Sequence, residues 1–330
     1  MFSPTVAIAA WLVPLVAFFV CWLLLVILMQ RATRLPMDHP NARSLHVTPT
    51  PRIGGIGIVV AIAVSSILIQ LLVLLPFILG LSVLAAISLL DDYRSLPAHW
   101  RLLAHVVVAV ACVLTFPGLD GLGLLVASLA IVWMTNLYNF MDGADGLAGG
   151  MTVIGFGALA VAAWGAGADD LAMFCAAIAA AALAFLRFNF PPAKIFMGDA
   201  GSIPLGFLAA SIGVYGTAQH YWPPLFPVMI FSPFILDASV TLLKRALRGE
   251  KIWRAHREHY YQRLVRMGWS HKKMTLTAYA FMLFCAMVGL TFLQQPESSV
   301  FLVALWAGSF VLIFIALDWR WSRLKHEAET

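Results

Sequence analysis

Asn136, Asn139, Asp142 and Asp145 recur every three residues in a polar stretch, Asn136 to Gly150, set between two long apolar runs. Burying amides and carboxylates in lipid without partners is costly, so four together mark a place where chemistry is expected. On a continuous helix each step of three residues falls roughly 60° short of a full turn, which puts Asn136 and Asp145 on opposite sides. Gly143 and Gly146 relieve that conflict, because glycine lets the backbone leave the helix and bring the late carboxylates to the pocket of the early amides. The stretch is predicted to be a helix end followed by a polar turn.

Three further constellations carry chemistry. Asp91 and Asp92 close an apolar segment, where mutual repulsion and the helix dipole call for a compensating cation. They suit a divalent metal or a proton-abstracting pair, with Arg94 and Arg101 placed to bind phosphate. In Arg187 to Ser202, Gly198 and Gly201 flank Asp199, and Ser202 is predicted to cap the next helix, aiming backbone N–H groups at a pocket. The segment from Lys244 to Lys273 holds ten of the 21 basic residues together with His256 and His259. His-Arg-Glu-His is not the His-Glu-x-x-His of a zinc protease, and no third ligand is near. Phosphate binding by Arg257, Arg263 and the histidines fits better. Residues 142 to 153 fail as an EF-hand, because Ala144 and Val153 occupy ligand positions. Gly54-Gly-Ile-Gly57 lacks the strand and spacing of a dinucleotide site.

The elements that must position these groups are membrane helices. With 62% hydrophobic and 11% charged residues, the 330-residue chain exceeds what a soluble domain of this size needs. The fold class is an all-α polytopic membrane protein. Apolar stretches are drawn at about 5 to 29, 54 to 73, 74 to 90, 102 to 117, 122 to 140, 148 to 167, 170 to 187, 203 to 219, 224 to 243, 275 to 294 and 299 to 318, which makes about 11 spans. Pro76, Pro204, Pro227 and Pro233 blur several ends, so ten is the alternative count. Placing the N-terminus outside puts all 21 Lys and Arg in inward-facing segments, and the positive-inside rule then leaves the C-terminus cytoplasmic. The net charge of +5 is mostly this topology, with no nucleic-acid signature. The first apolar segment is expected to stay attached as a span. Cys21, Cys112, Cys175 and Cys285 suggest neither disulfides nor zinc. One domain, 1–330, is expected, with working loops at about 30–53, 91–101, 141–147, 188–202 and 244–274.

Five blocks in order resemble one family: Leu45-His-Val-Thr-Pro-Thr-Pro-Arg-Ile-Gly-Gly55, Asp91-Asp92, Asn136-x-x-Asn-x-x-Asp-Gly-x-Asp-Gly146, Phe196-Met-Gly-Asp-Ala-Gly-Ser202 and His256-x-x-His259. These are similar to the polyprenyl-phosphate N-acetylhexosamine-1-phosphate transferases, over about residues 40 to 275. The resemblance implies transfer of a sugar-1-phosphate from a UDP-N-acetylhexosamine to undecaprenyl phosphate, with release of UMP, in the bacterial cytoplasmic (inner) membrane. It implies Mg²⁺, with Mn²⁺ as an alternative, held by Asp199 and Asn139. Asp91 and Asp92 would position or deprotonate the lipid phosphate, Asp145 and Phe196 contact the uracil, and His256, Arg257 and His259 bind the diphosphate. Asp142 joins the catalytic group, and Asn136, Arg101 and Lys194 the substrate-binding one. His-Arg-Glu-His-Tyr-Tyr-Gln-Arg-Leu looks like the branch that starts O-antigen, favouring UDP-GlcNAc or a deoxy N-acetyl sugar over the muramoyl pentapeptide. A homodimer is left open. The rival is a secondary transporter, which wants acids near the bilayer midplane, where only Asp237 is a candidate. A CDP-alcohol phosphotransferase wants an Ala-Arg pair that Leu147-Ala148 does not supply.

Overall fold

A computed structural model describes residues 4–31, 37–38, 49–69, 71–254 and 256–329. The block from Leu45 to Thr48 therefore lies outside the described residues, as do Arg34 and Arg43. The described residues are mostly helical: α1 (Pro4–Gln30), α2 (Gly54–Ser66), α3 (Leu71–Arg94), α4 (Ala98–Val113), α5 (Gly121–Met141), α6 (Leu147–Gly165), α7 (Asp169–Asn189), α8 (Asp199–Ala218), α9 (Leu225–Leu247), α10 (Tyr260–Arg266), α11 (His271–Gln294) and α12 (Ser299–Glu329). One small antiparallel ladder joins β1 (Met37–Asp38) to β2 (Thr50–Pro51), with Asp38 opposite Thr50.

Each of the eleven apolar stretches is a helix, but among the described residues nine are long and apolar enough to cross a bilayer. The expected span at 54 to 73 is cut short at Ser66 by a turn, in which the Ile67, Leu68 and Ile69 N–H groups bond three residues back. At 13 and 16 residues, α2 and α4 reach about 20 and 24 Å at 1.5 Å per residue, short of a hydrocarbon core of about 30 Å. The prolines that blurred the ends of the apolar stretches are accommodated within helices: Pro76, Pro204 and Pro233 lie inside α3, α8 and α9.

Helix α8 is the centre of the bundle. It is buried along nearly its whole length and packs on α3, α5 and α2. α6, α7 and α1 pack side by side, and α11 lies on α9 and α6. α12 is mostly exposed apolar surface, as a lipid-facing helix should be. The first turns of α2 and α8 cross at Gly55 and Gly201. A Cβ on Gly55 would lie 2.3 Å from the Gly201 nitrogen, so only glycine permits this approach. The strap before α8 is tied to the same place. Gly54 N–H donates to Phe196 O at 2.9 Å, Gly55 N–H to Met197 O at 2.8 Å, and Phe196 N–H to Pro51 O at 2.8 Å.

Candidate active site

The C-terminal ends of α5, α7 and α9 meet the N-terminal ends of α4, α8 and α11 around one cavity of about 460 Å³. The break in the Asn-Asp stretch makes this possible. α5 stops at Met141, Asp142 caps it, and Gly146 takes φ +75° to start α6. Asn139, Asp142 and Asp145 then line one cavity, as the glycines led us to expect. Asn136 does not join them. It stays on the helix, with its Nδ2 donating to Val132 O at 2.7 Å, off the cavity wall.

One corner is rich in charge. Asp199 opens α8, and Arg101 Nη1 lies 4.0 Å from it and 2.9 Å from Asp91 Oδ2. Asp91 Oδ1 also accepts the Leu96 N–H at 2.6 Å, so the cation and donor that this helix end called for are supplied. Arg52 holds Asp38 at 2.6 Å on the cavity wall. Burial first, and then the Asp199 carboxylate, keep the Asp142 carboxyl well above the ordinary carboxylate range, against the pull of Arg52 and the Gly198 N–H. Ser202 does not cap α8 as expected, because it sits a full turn inside the helix. Its hydroxyl donates to Asn139 Oδ1 at 2.7 Å and fixes that amide.

Among the described residues no three His, Cys, Asp or Glu side chains converge as a metal cage. An oxygen-rich corner of Asp199 and Asn139 suits Mg²⁺ nonetheless. That ion keeps several waters and takes one or two protein ligands plus substrate phosphates, and a cation would relieve the repulsion between Asp142 and Asp199.

Another part of the cavity wall is set by Asn189, whose Oδ1 accepts the Gly146 N–H at 2.9 Å and whose Nδ2 donates to Ile195 O at 2.8 Å. This clamp holds the turn bearing Asp145 against the strap bearing Phe196, and all three line the cavity. Asp145 Oδ2 accepts the Ala193 N–H at 3.0 Å.

Part of the basic loop is paired with acids, two of them its own and one on α12. Arg245 and Arg248 pair with Glu250 and Glu258, and Lys244 and Arg263 with Asp318 on α12. Arg263 is thus a buried strut beneath α12 and not the phosphate ligand expected. Asp237, the one deep acid, accepts the N–H groups of Tyr260 and Tyr261 at 2.9 and 3.1 Å and so anchors the start of α10. His256 and His259 reach the cavity with ring centres 4.8 Å apart. Burial, then His259 and Arg245, push His256 down to about 4, so at neutral pH it is not the cationic donor expected. Its Nδ1 accepts the Glu258 N–H, which leaves Nε2–H to donate.

Because the folded His256 refuses a proton that the unfolded chain accepts, it should weaken the fold as pH falls from its ordinary 6.5 toward about 4. His256→Gln is expected to lose less melting temperature than the wild type between about pH 7 and pH 5. Equal losses in the two proteins would show that native His256 takes up its proton as readily as the unfolded chain does.

Of the expected site residues, Arg101, Asn139, Asp142, Asp145, Phe196, Asp199, His256 and His259 line the cavity, while Asp91, Asp92, Asn136, Lys194 and Arg257 lie off its wall. The wall also holds Arg52, Asn189, Arg254 and His271, to which the sequence assigned no role. The clue for Asn189 was an amide at the end of an apolar run; no local signal singled out His271.

Residues 74–217 match the family described as glycosyl transferase family 4. Over 290 residues, 80% of each chain, the protein is 30% identical to the probable undecaprenyl-phosphate N-acetylglucosaminyl 1-phosphate transferase of Bacillus subtilis (strain 168). It is 33% identical over 281 residues to the phospho-N-acetylmuramoyl-pentapeptide-transferase of Geobacillus kaustophilus (strain HTA426), covering 73% of this chain and 83% of that one. A third relative, the phospho-N-acetylmuramoyl-pentapeptide-transferase of Geobacillus sp. (strain WCH70), is 30% identical over 280 residues, 74% of this chain and 83% of the relative. The five motif blocks, the cavity that four of them build at the helix ends, and this extent of identity lead to one placement: the chain belongs to the polyprenyl-phosphate N-acetylhexosamine-1-phosphate transferase superfamily.

Proposed function

We propose that this protein transfers an N-acetylhexosamine-1-phosphate, GlcNAc or a deoxy N-acetyl sugar, from its UDP-sugar to undecaprenyl phosphate. UMP leaves, and a lipid-linked glycan such as O-antigen or another cell-envelope polysaccharide is begun. The site faces the cytoplasm of a bacterial inner membrane. The observation that carries this reading is the one cavity whose wall combines the acidic, arginine-flanked group of Asp142, Asp199, Arg52 and Arg101 with Phe196, Asn189 and Asp145. That combination suits a diphosphate joined to a nucleoside. The relative's name, an N-acetylglucosaminyl 1-phosphate transferase, supports the choice of sugar.

An oxygen of the lipid phosphate attacks the sugar-linked phosphorus, and the bond from that phosphorus to the UMP oxygen breaks. Arg52 and Arg101 neutralise the diphosphate, and Phe196 stacks on the base. Asp91, held by Arg101, positions the incoming phosphate from just outside the cavity wall. Catalysis is then mainly placement and charge neutralisation. Mg²⁺, or Mn²⁺, held by Asp199 and the Asn139 oxygen, would add charge neutralisation on the diphosphate. The transporter reading loses its one deep acid, because Asp237 is spent on the N–H groups of α10.

Purified protein offered undecaprenyl phosphate and a panel of UDP-sugars should release UMP fastest with UDP-GlcNAc or a deoxy N-acetyl relative. Faster release with the UDP-muramoyl pentapeptide would contradict the choice of sugar, and no release with any of them would contradict the function.

A further inference from the structure

His271, Thr275 and Tyr279 are spaced four residues apart on α11 and share one face. All three turn toward the Asp145-Gly146 turn. Thr275 Oγ1 donates to Asp145 O at 2.8 Å and Tyr279 Oη to Gly146 O at 2.7 Å, so these two hydroxyls are spent on holding the backbone. His271 differs. Its Nδ1 is buried without a hydrogen-bond partner, 3.9 Å from Asp145 Oδ1, while the ring lies on the cavity wall.

The other Asp145 oxygen is taken by the Ala193 N–H. This carboxylate is therefore committed to the strap on one side and faces an imidazole on the other. A gap of 3.9 Å is too long for a hydrogen bond, but such bonds in ligand-free sites tighten when the ligand arrives. Facing a carboxylate, Nδ1 holds the ring proton, and the neutral ring then presents Nε2 as an acceptor.

We propose that His271 determines base specificity: its Nε2 accepts the N3–H of uracil, while Asp145 orients the ring from behind. The inference rests on the uridine-nucleotide reading above and assigns the hydrogen bond to the edge of the base, on whose face Phe196 stacks, to a residue outside the five motif blocks. Uracil carries a proton at N3 and cytosine a lone pair. A bare Nε2 meets a donor in the first and an acceptor in the second, which leaves both acceptors unsatisfied.

Calorimetric binding of UMP and CMP to the full-length protein tests it, with three variants. His271→Asn keeps an amide near the Nδ1 position but places nothing at Nε2. His271→Gln carries its carboxamide out to the Nε2 position. Thr275→Val removes a backbone tether from the same helix face without touching the imidazole. Wild type should prefer UMP, and the preference should fall by about tenfold or more in His271→Asn. It should be retained in Thr275→Val, even where that variant melts earlier, whereas His271→Gln should keep UMP affinity but discriminate less, because its carboxamide can turn to offer either an oxygen or an N–H. An unchanged preference in His271→Asn, or an equal collapse in Thr275→Val, would overturn the assignment. Wild type that binds UMP but does not discriminate overturns it as well, whereas wild type that binds neither nucleotide removes the uridine reading and the assignment with it.

Discussion

Asp199→Asn is expected to abolish UMP release at every Mg²⁺ concentration while leaving the solubilised fold intact. Asp199 opens α8, where backbone N–H groups favour an anion, so the substitution is mild for the helix. It is severe for the site. The side chain faces the cavity beside Asn139 and Asp142, with Arg101 at 4.0 Å. Removing one charged oxygen from a hard-cation site takes away neutralisation that is needed most in the transition state, and raising the metal concentration does not replace it. Turnover measured across a Mg²⁺ titration, beside a melting curve for each protein, decides the point. Retention of more than about a tenth of the wild-type rate, a loss under about 1.4 kcal/mol, would remove Asp199 from the metal site.

Gly55→Ala should damage both stability and turnover, although the residue touches no substrate. The new methyl would lie 2.3 Å from the Gly201 nitrogen and 2.6 Å from its Cα. Both contacts are backbone, so no side chain can swing aside, and overpacking of this kind costs about 1–3 kcal/mol. The relief available is to part α2 from α8. That loosens the bonds from Gly54 and Gly55 to Phe196 and Met197 and shifts the strap carrying Phe196 and Asp199. Misplacing reacting groups by about 1 Å can cost about a hundredfold in rate. Gly157→Ala is the control, because a Cβ there meets nothing within 4 Å. A melting temperature and rate for Gly55→Ala matching those of Gly157→Ala would show that the crossing is slack.

The helices and the turn were legible because their signals are local. Apolar length marked the eleven helices, and glycine in the Asp142 to Gly146 segment marked the break that brings Asn139, Asp142 and Asp145 together. Residue type alone could not say which way each side chain looks. Asn136, one turn before Asn139, bonds back to its own helix and misses the cavity. Arg263 read as a phosphate ligand until α12 supplied Asp318, 55 residues away, as its partner. Ser202 read as a helix cap, but Asn139 on α5 claims its hydroxyl. For Arg263 and Ser202 the deciding partner lies on an element remote in sequence, where spacing carries no information, whereas Asn136 turns to a carbonyl of its own helix. His271 was missed for the same reason, since its meaning comes from the Asp145 it faces.

The central claim is that a phosphoryl-sugar unit moves from nucleotide to lipid. It is tested most directly with UDP-GlcNAc, or the UDP-sugar the panel prefers, radiolabelled in the β-phosphate and incubated with undecaprenyl phosphate and the protein. The label should pass into the organic, lipid phase in step with unlabelled UMP in the aqueous phase, one for one, and Asp199→Asn should stop both together. Label remaining in the aqueous phase as UDP while sugar alone reaches the lipid would mean that the glycosidic bond, not the diphosphate, is broken, and would contradict the account.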